Sequence, residues 1–256
     1  METKKTNGWS WIPTLYFAEG VPYFIVNNIS VMMFTKMGVP NGEMAFFTTL
    51  LYFPWFLKGL WGPVVDVVKT KRWWIVSMQM LMTALMVLLT LTLPKPSPEA
   101  IEAGVHMSTF TFTLVLFIIA AFASATHDIA ADGFYMIAHS PSSQAAFIGV
   151  RSTFYRIASV FGQGILVAIA GYFETSTGDI PLSWQITLGV SAVIFALVTL
   201  YHTYMLPRSS ADKPRVAEGA SLTSGVSEFA NSFVSFVTKP GCLLAIAFNQ
   251  EPISTF

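Results

Sequence analysis

Six separate stretches of this chain are each apolar for about 20 residues or more, the length a helix needs to cross the hydrocarbon core of a bilayer. They run over about 11–35, 44–65, 73–93, 108–137, 145–173 and 184–206. A further apolar stretch starts near Pro240 and reaches Phe256. Only 11% of the 256 residues are charged, against roughly 25% in an ordinary soluble domain. Most of the chain must therefore be solvated by lipid. The expected fold is an all-α membrane protein. It comprises a six-helix bundle over 1–206, a cytoplasmic linker over 207–239, and the truncated start of a seventh helix over 240–256.

Several function classes drop out early. The formal net charge is zero, so no nucleic-acid partner is expected. Cys242 is the one cysteine, which excludes an intramolecular disulfide and a cysteine metal site. The histidines His106, His127, His139 and His202 are scattered over loops and helix ends without ligand spacing. No metal, cofactor or enzymatic centre is expected from such a pattern. The start, Met-Glu-Thr-Lys-Lys-Thr-Asn-Gly-Trp, lacks a cleavable signal pattern, so the first apolar stretch should stay as a span.

Two connections are long. The segment 94–107 holds three prolines, two glutamates and a glycine, a composition that should not continue a helix. The segment 207–224 is polar and reads as a flexible linker. The stretch 226–237 after it has an apolar face, which fits either a membrane-surface helix or a plain linker turn. Lys4, Lys5, Lys69, Lys71, Arg72, Arg208, Lys213 and Arg215 fall to one side of the predicted spans, and only Lys36 and Lys95 to the other. The basic side should be cytoplasmic, with the N-terminus inside. Trp9, Trp11, Trp73, Trp74 and Trp184 lie at predicted helix ends, where indole rings favour the membrane interface.

Six ionisable residues lie within or beside the spans: Glu19, Lys58, Asp128, Asp132, Arg151 and Arg156. A charge at the centre of a spanning helix costs at least about 2.5–3.5 kcal/mol, so these groups should face protein or a wet cavity and find partners. At about 1.5 Å per residue, Glu19, Lys58, Asp128 and Arg156 lie roughly 12, 10, 13 and 17 Å from the cytoplasmic end. Four helices thus place charge at a common depth. Glu19 and Asp128 are the candidate proton-titrating carboxylates of a polar cavity, with Lys58 and Arg156 as partners. A set of structural ion pairs is the alternative, and it is the reading preferred for Asp132 and Arg151. Asp128 and Asp132 share a helix face, whereas Arg151 and Arg156 should point in different directions. In the first span, Glu19-Gly20-Val21-Pro22 should loosen the helix at membrane depth. Asn27 and Asn28 after it could bond a substrate or neighbouring helices. Ser159, Gly162, Gly164, Ala168 and Gly171 read as a close-packing stripe.

The loop Gly59-Leu60-Trp61-Gly62-Pro63-Val64-Val65-Asp66, followed by Lys69, Lys71 and Arg72, resembles the signature loop of the major facilitator superfamily. It departs from that pattern at the glycine among the basic residues, where Thr70 lies nearby. The stretch from Ala125 to Phe134, continuing through Gly149-Val150-Arg151 to Tyr155-Arg156-Ile157, resembles AmpG-type muropeptide permeases and the related acetyl-CoA transporters. Segments 16–22 and 56–63 are similar to that branch too. The resemblance implies twelve helices in two halves, with the cargo between them, so that the C-terminal six-helix half is missing from this chain. It implies proton-coupled import of anhydro-muropeptides across the bacterial inner membrane. By position, Asp128 and Asp132 match the family's fourth-helix acids and Lys58 its second-helix base. Asp66, Lys71 and Arg72 would then form a conformational latch. The expected partners are a small polar solute, protons and the lipid bilayer. Other cargoes (an acyl-CoA, a sugar) and a non-transport membrane sensor or structural subunit are the alternatives.

Overall fold

The computed structural model describes residues 7–214 and, beyond them, positions 223, 227, 230, 231, 234 and 238. All regular structure among these residues is helical. Helix α1 covers 12–36 as Ile12–Phe24, a π-helical segment Ile25–Ile29 and Ser30–Lys36. It is followed by α2 (Asn41–Leu57), α3 (Gly62–Val68), α4 (Lys71–Thr92) and α5 (Pro98–Ala103). Then come α6 (Met107–Ala138), α7 (Pro141–Thr177) and α8 (Ile180–Met205). Four of these, α4, α6, α7 and α8, are long and apolar enough to cross a membrane.

Local chemistry explains the boundaries. Thr70 caps α4 by accepting a hydrogen bond from the Trp73 amide at 3.1 Å, and Asp179 caps α8 through the Leu182 amide at 2.9 Å. Ser140 caps α7, with Pro141 in its first turn, where a missing N–H costs nothing. Gly178 ends α7 at a φ of 69°, a left-handed conformation that glycine tolerates best.

Two expectations about the helices need correction. Helix α1 runs through Gly20 and Pro22 without a break, and the change of winding comes at Ile25–Ile29, one turn beyond the proline. Gly20 serves close approach instead: a Cβ there would sit 2.7 Å from Ala158 Cβ on α7. The second apolar stretch is not one helix. It passes into a 3-10 turn at Lys58–Leu60 and restarts at Gly62, where Gly59 and Gly62 weaken the helix and Pro63 suits the first turn of a new one. The proline-rich connection does not continue α4, which stops at Thr92, but it carries a separate short helix, α5, capped by Ser97 and closed by Gly104 at a φ of 94°.

Helix α1 is buried on almost every face and packs against α6 and α7. Helix α4 lies between α6 and α8, and α2 rests on α6. The main core gathers Phe34, Phe110, Phe117, Leu188 and Phe195, and a smaller one at the other end holds Trp11, Leu15, Tyr16, Phe134 and Tyr135. Outward positions are large and apolar, as with Phe56 at 85% exposure and Leu91 at 72%, which suits a lipid surrounding. Trp9 and Trp73 are exposed at helix ends as expected. Trp11 and Trp184 are instead almost fully buried. Trp11 stacks on His139 with ring centroids 5.3 Å apart, so packing decides its position.

The basic ends gather. Arg72 donates from Nε to the Leu206 carbonyl at 3.1 Å and from a terminal nitrogen to the Thr203 carbonyl at 2.5 Å. It thereby binds the start of α4 to the end of α8. The Tyr201 hydroxyl donates to the Ser10 carbonyl at the same end. Lys36 pairs with Glu174 at 2.8 Å at the opposite end. The first residues of the expected linker are anchored: Asp212 accepts from the amides of Lys71 and Arg72 at 2.6 and 2.9 Å, capping α4. Of the stretch 226–237, positions 227, 230, 231 and 234 are described, as helical and exposed. The seventh apolar stretch, Lys4, Lys5 and Arg215 lie outside the described residues.

Candidate functional site

A cavity of about 510 Å³ lies between α1 and α7. Helix α7 supplies Ile148, Arg151, Ser152, Tyr155 and Arg156 to it, which recur at the three- and four-residue spacing of one helix face. Tyr16 and Glu19 of α1, three residues apart, form the facing wall. The expectation that Arg151 and Arg156 point apart is thus corrected: both lie on the cavity face, because that face is wide enough to take positions on either side of Ser152 and Tyr155.

The charges around the cavity are arranged in two pairs and a remainder. Lys58 Nζ pairs with Asp128 Oδ2, joining the 3-10 turn after α2 to α6. Arg151 pairs with Asp132 Oδ1, joining α7 to α6. Tyr16 donates its hydroxyl proton to the same Asp132 oxygen at 2.9 Å. The Arg151 guanidinium lies 4.3 Å from the centre of the Tyr16 ring and 4.4 Å from that of Tyr135, an electrostatically favourable stack on two aromatic faces. Asp132 and Arg151 are therefore part of the cavity's charge set as well as a bond between helices.

Glu19 is different. It is only 8% exposed, and its Oε2 is buried with no hydrogen-bond partner among the described residues. It feels the charges of Asp128, Asp132 and Arg151. Arg156 is exposed on the cavity wall and makes no ion pair among the described residues, so its expected pairing with Glu19 or Asp128 is not formed.

The remaining candidates lie elsewhere. Asn27 donates to the Tyr23 carbonyl of its own helix at 3.1 Å, and Asn28 faces Gln163 of α7 at 3.5 Å. Neither lines the cavity. Asp66 pairs with Lys71, whose stem crosses Gly133, where a Cβ would lie 2.9 Å from Lys71 Cε. Arg72 is engaged at the end of α8 instead. Of the small-residue stripe, Gly162 makes the close approach, with an added Cβ 2.7 Å from Phe24 Cβ, whereas Gly171 has nothing within 4 Å among the described residues.

Sequence reasoning missed a second polar centre. His127 and His202 are not scattered but meet at one amide. Gln79 Nε2 lies 2.9 Å from His127 Nε2 and 2.9 Å from His202 Nδ1. His202 Nε2 lies 2.9 Å from Thr14 Oγ1. The network ties α1, α4, α6 and α8 together in the bundle interior. A single polar residue in an apolar run, Gln79, was its only sequence signal. Among the described residues no group of three or more histidine, cysteine, aspartate or glutamate side chains is placed to hold a metal ion. No model of a known protein family matches the chain.

Proposed function

We propose that the chain is half of a proton-coupled secondary transporter that moves a polar solute across a membrane by alternating access. The observation that carries this is Glu19: a buried carboxyl, one oxygen of which has no hydrogen-bond partner among the described residues, on the wall of a solute-sized cavity. Ionising Glu19 would add a carboxylate with no cation of its own beside Asp128 and Asp132, whose cations Lys58 and Arg151 are already paired. That repulsion acts between α1 and α6, and so biases the bundle between two packings.

The finer reading follows the sequence. Residues 12–36 and Asn41–Leu57, with the four long helices, would make six spans. The grouping of Lys69, Lys71, Arg72, Arg208 and Lys213 at one end supports a cytoplasmic N-terminus. The resemblance to major facilitator transporters supports the bacterial inner membrane, anhydro-muropeptide as cargo, and the Asp66–Lys71 pair as a latch. Uptake by the purified protein in proteoliposomes tests the coupling. Accumulation should follow an imposed pH gradient and vanish in Glu19→Gln. Uptake that persists without the gradient, and after both Glu19 and Asp128 are neutralised, sinks the proposal.

A further inference from the structure

The charge set around the cavity balances in number but not in pairing. It holds three acids, Glu19, Asp128 and Asp132, and three bases, Lys58, Arg151 and Arg156. Asp128 is paired with Lys58 and Asp132 with Arg151. This leaves a buried carboxyl on one wall and an exposed guanidinium on the other, with neither in an ion pair among the described residues. Arg156 shares its cavity with the Ser152 side chain one helical turn before it and with Tyr155 beside it. A planar guanidinium presents a rigid fork of N–H donors that matches the two oxygens of a carboxylate or phosphate. The neighbouring hydroxyls can donate to the same group.

We infer that the cavity between α1 and α7 binds a solute carrying a carboxylate or phosphate, with Arg156 as its anchor and Ser152 as a second donor. This deepens the transport reading and rests on it only for the fate of the bound solute. With Glu19 protonated, the cavity has one uncompensated positive charge, and an oxyanion neutralises it. With Glu19 ionised, the set is already neutral and the same oxyanion adds a negative charge. Proton and anion therefore favour each other's binding by linkage. The groups that face Glu19 are Tyr16 on α1, Lys58 after α2, Asp128 and Asp132 on α6, and Arg151, Tyr155 and Arg156 on α7. Of these, Lys58 and Arg151 are held by their own partners.

Calorimetric titration of the purified protein in a neutral maltoside micelle tests the inference, with acetate and inorganic phosphate as oxyanion probes and glucose as the neutral probe. The oxyanions should bind, glucose should not, and Arg156→Gln should weaken binding by about tenfold or more, with Arg156→Lys between the two. Acetate keeps its charge from about pH 6 to about pH 8. Over that range Glu19→Gln should bind acetate at least as tightly as the native protein, because it cannot take on the negative charge that opposes the oxyanion. Unchanged oxyanion binding in Arg156→Gln, with native helical content by circular dichroism, overturns the assignment. The same titration in phosphatidylglycerol vesicles separates solute from headgroup. Binding that survives there supports a solute site, and binding abolished there gives the site to lipid and overturns it. Oxyanion binding without proton-driven uptake would keep this inference and sink the transport reading. Proton-driven uptake of a neutral sugar without oxyanion binding would do the reverse.

Discussion

The Gln79 side-chain nitrogen sits 2.9 Å from His202 Nδ1, and the same nitrogen reaches His127 Nε2 at the same distance. An amide nitrogen has two protons, enough to serve both rings. His202 then carries its own proton on Nε2 and donates it to Thr14 Oγ1 at 2.9 Å. Thr14 passes its proton on to the Trp11 carbonyl at 3.1 Å. This assignment is the one that lets Thr14 donate to Trp11, in preference to a His202 Nδ1 proton on Gln79 Oε1 at 3.1 Å, and it leaves His127 Nδ1 buried with no partner among the described residues. Replacing Gln79 by leucine orphans two ring nitrogens inside the bundle, at about 1–3 kcal/mol each. Thermal unfolding in detergent should show a loss well beyond that of Thr83→Val, which removes the 3.2 Å contact to Thr199 and orphans nothing on the rings. Equal losses would mean that Gln79 acts by packing alone.

Lys58 and Asp128 should show strong energetic coupling. Lys58→Met leaves Asp128 beside Glu19 with no cation of its own, and Asp128→Asn leaves Lys58 unpaired. The double variant removes both charges, so it should be more stable than the sum of the single losses predicts. Because Lys58 is partly exposed, water screens the pair and the coupling should be about 1 kcal/mol. Unfolding of the three variants in one detergent measures it, and additive losses would deny the pair an energetic role.

The helices were legible because lipid imposes a length and an apolarity that any single segment displays by itself. The break at Lys58–Leu60 was harder to see, since its signals, Gly59, Gly62 and Pro63, resemble residues such as Gly20 and Pro22 that α1 carries without a break. The site was half legible. Glu19, Lys58, Asp128, Asp132 and Arg151 stand out as charges where lipid should be, and the fold brings all five together. Which acid pairs with which base depends on the rotation of each helix about its own axis, and that is set by contacts such as Gly20 on Ala158. His127 illustrates the limit. It adjoins Asp128 in sequence yet turns to the α4 side of α6, where its partner is 48 positions away.

The α1–α7 contact predicts opposite outcomes for three glycine-to-alanine changes. A Cβ at Gly20 meets Ala158 Cβ at 2.7 Å, and one at Gly162 meets Phe24 Cβ at 2.7 Å. Each clash is with a carbon bonded directly to backbone, so the helices must move apart. Overpacking of this kind costs about 1–3 kcal/mol, more than the gain of up to about 1 kcal/mol from replacing a helical glycine. Gly171 has nothing within 4 Å among the described residues, so Gly171→Ala should keep that gain. Melting temperatures should rank Gly171→Ala at or above the native protein, with Gly20→Ala and Gly162→Ala below it. A neutral Gly20→Ala would show that α1 and α7 are not held at this distance.

Glu43 gives the bundle an acid-sensitive joint at the end opposite the basic residues. Its Oε2 accepts the Met107 amide at 2.7 Å, and its Oε1 lies 2.9 Å from His106 Nδ1. The Met107 amide, and after it the His106 ring, hold the Glu43 carboxyl below its usual range. A carboxyl whose folded value is depressed contributes stability that is complete above its unfolded value. That contribution is lost as pH falls through the folded one. The joint between α2 and the start of α6 should therefore be intact at neutral pH and open as pH falls below the ordinary carboxylate range. Hydrogen exchange at the Met107 amide reads this directly. Corrected for intrinsic rate, its protection should drop in that acid window in the native protein. In Glu43→Gln the amide should be less protected at neutral pH and show no such step. A step of the same size in Glu43→Gln would assign the acid response to another group.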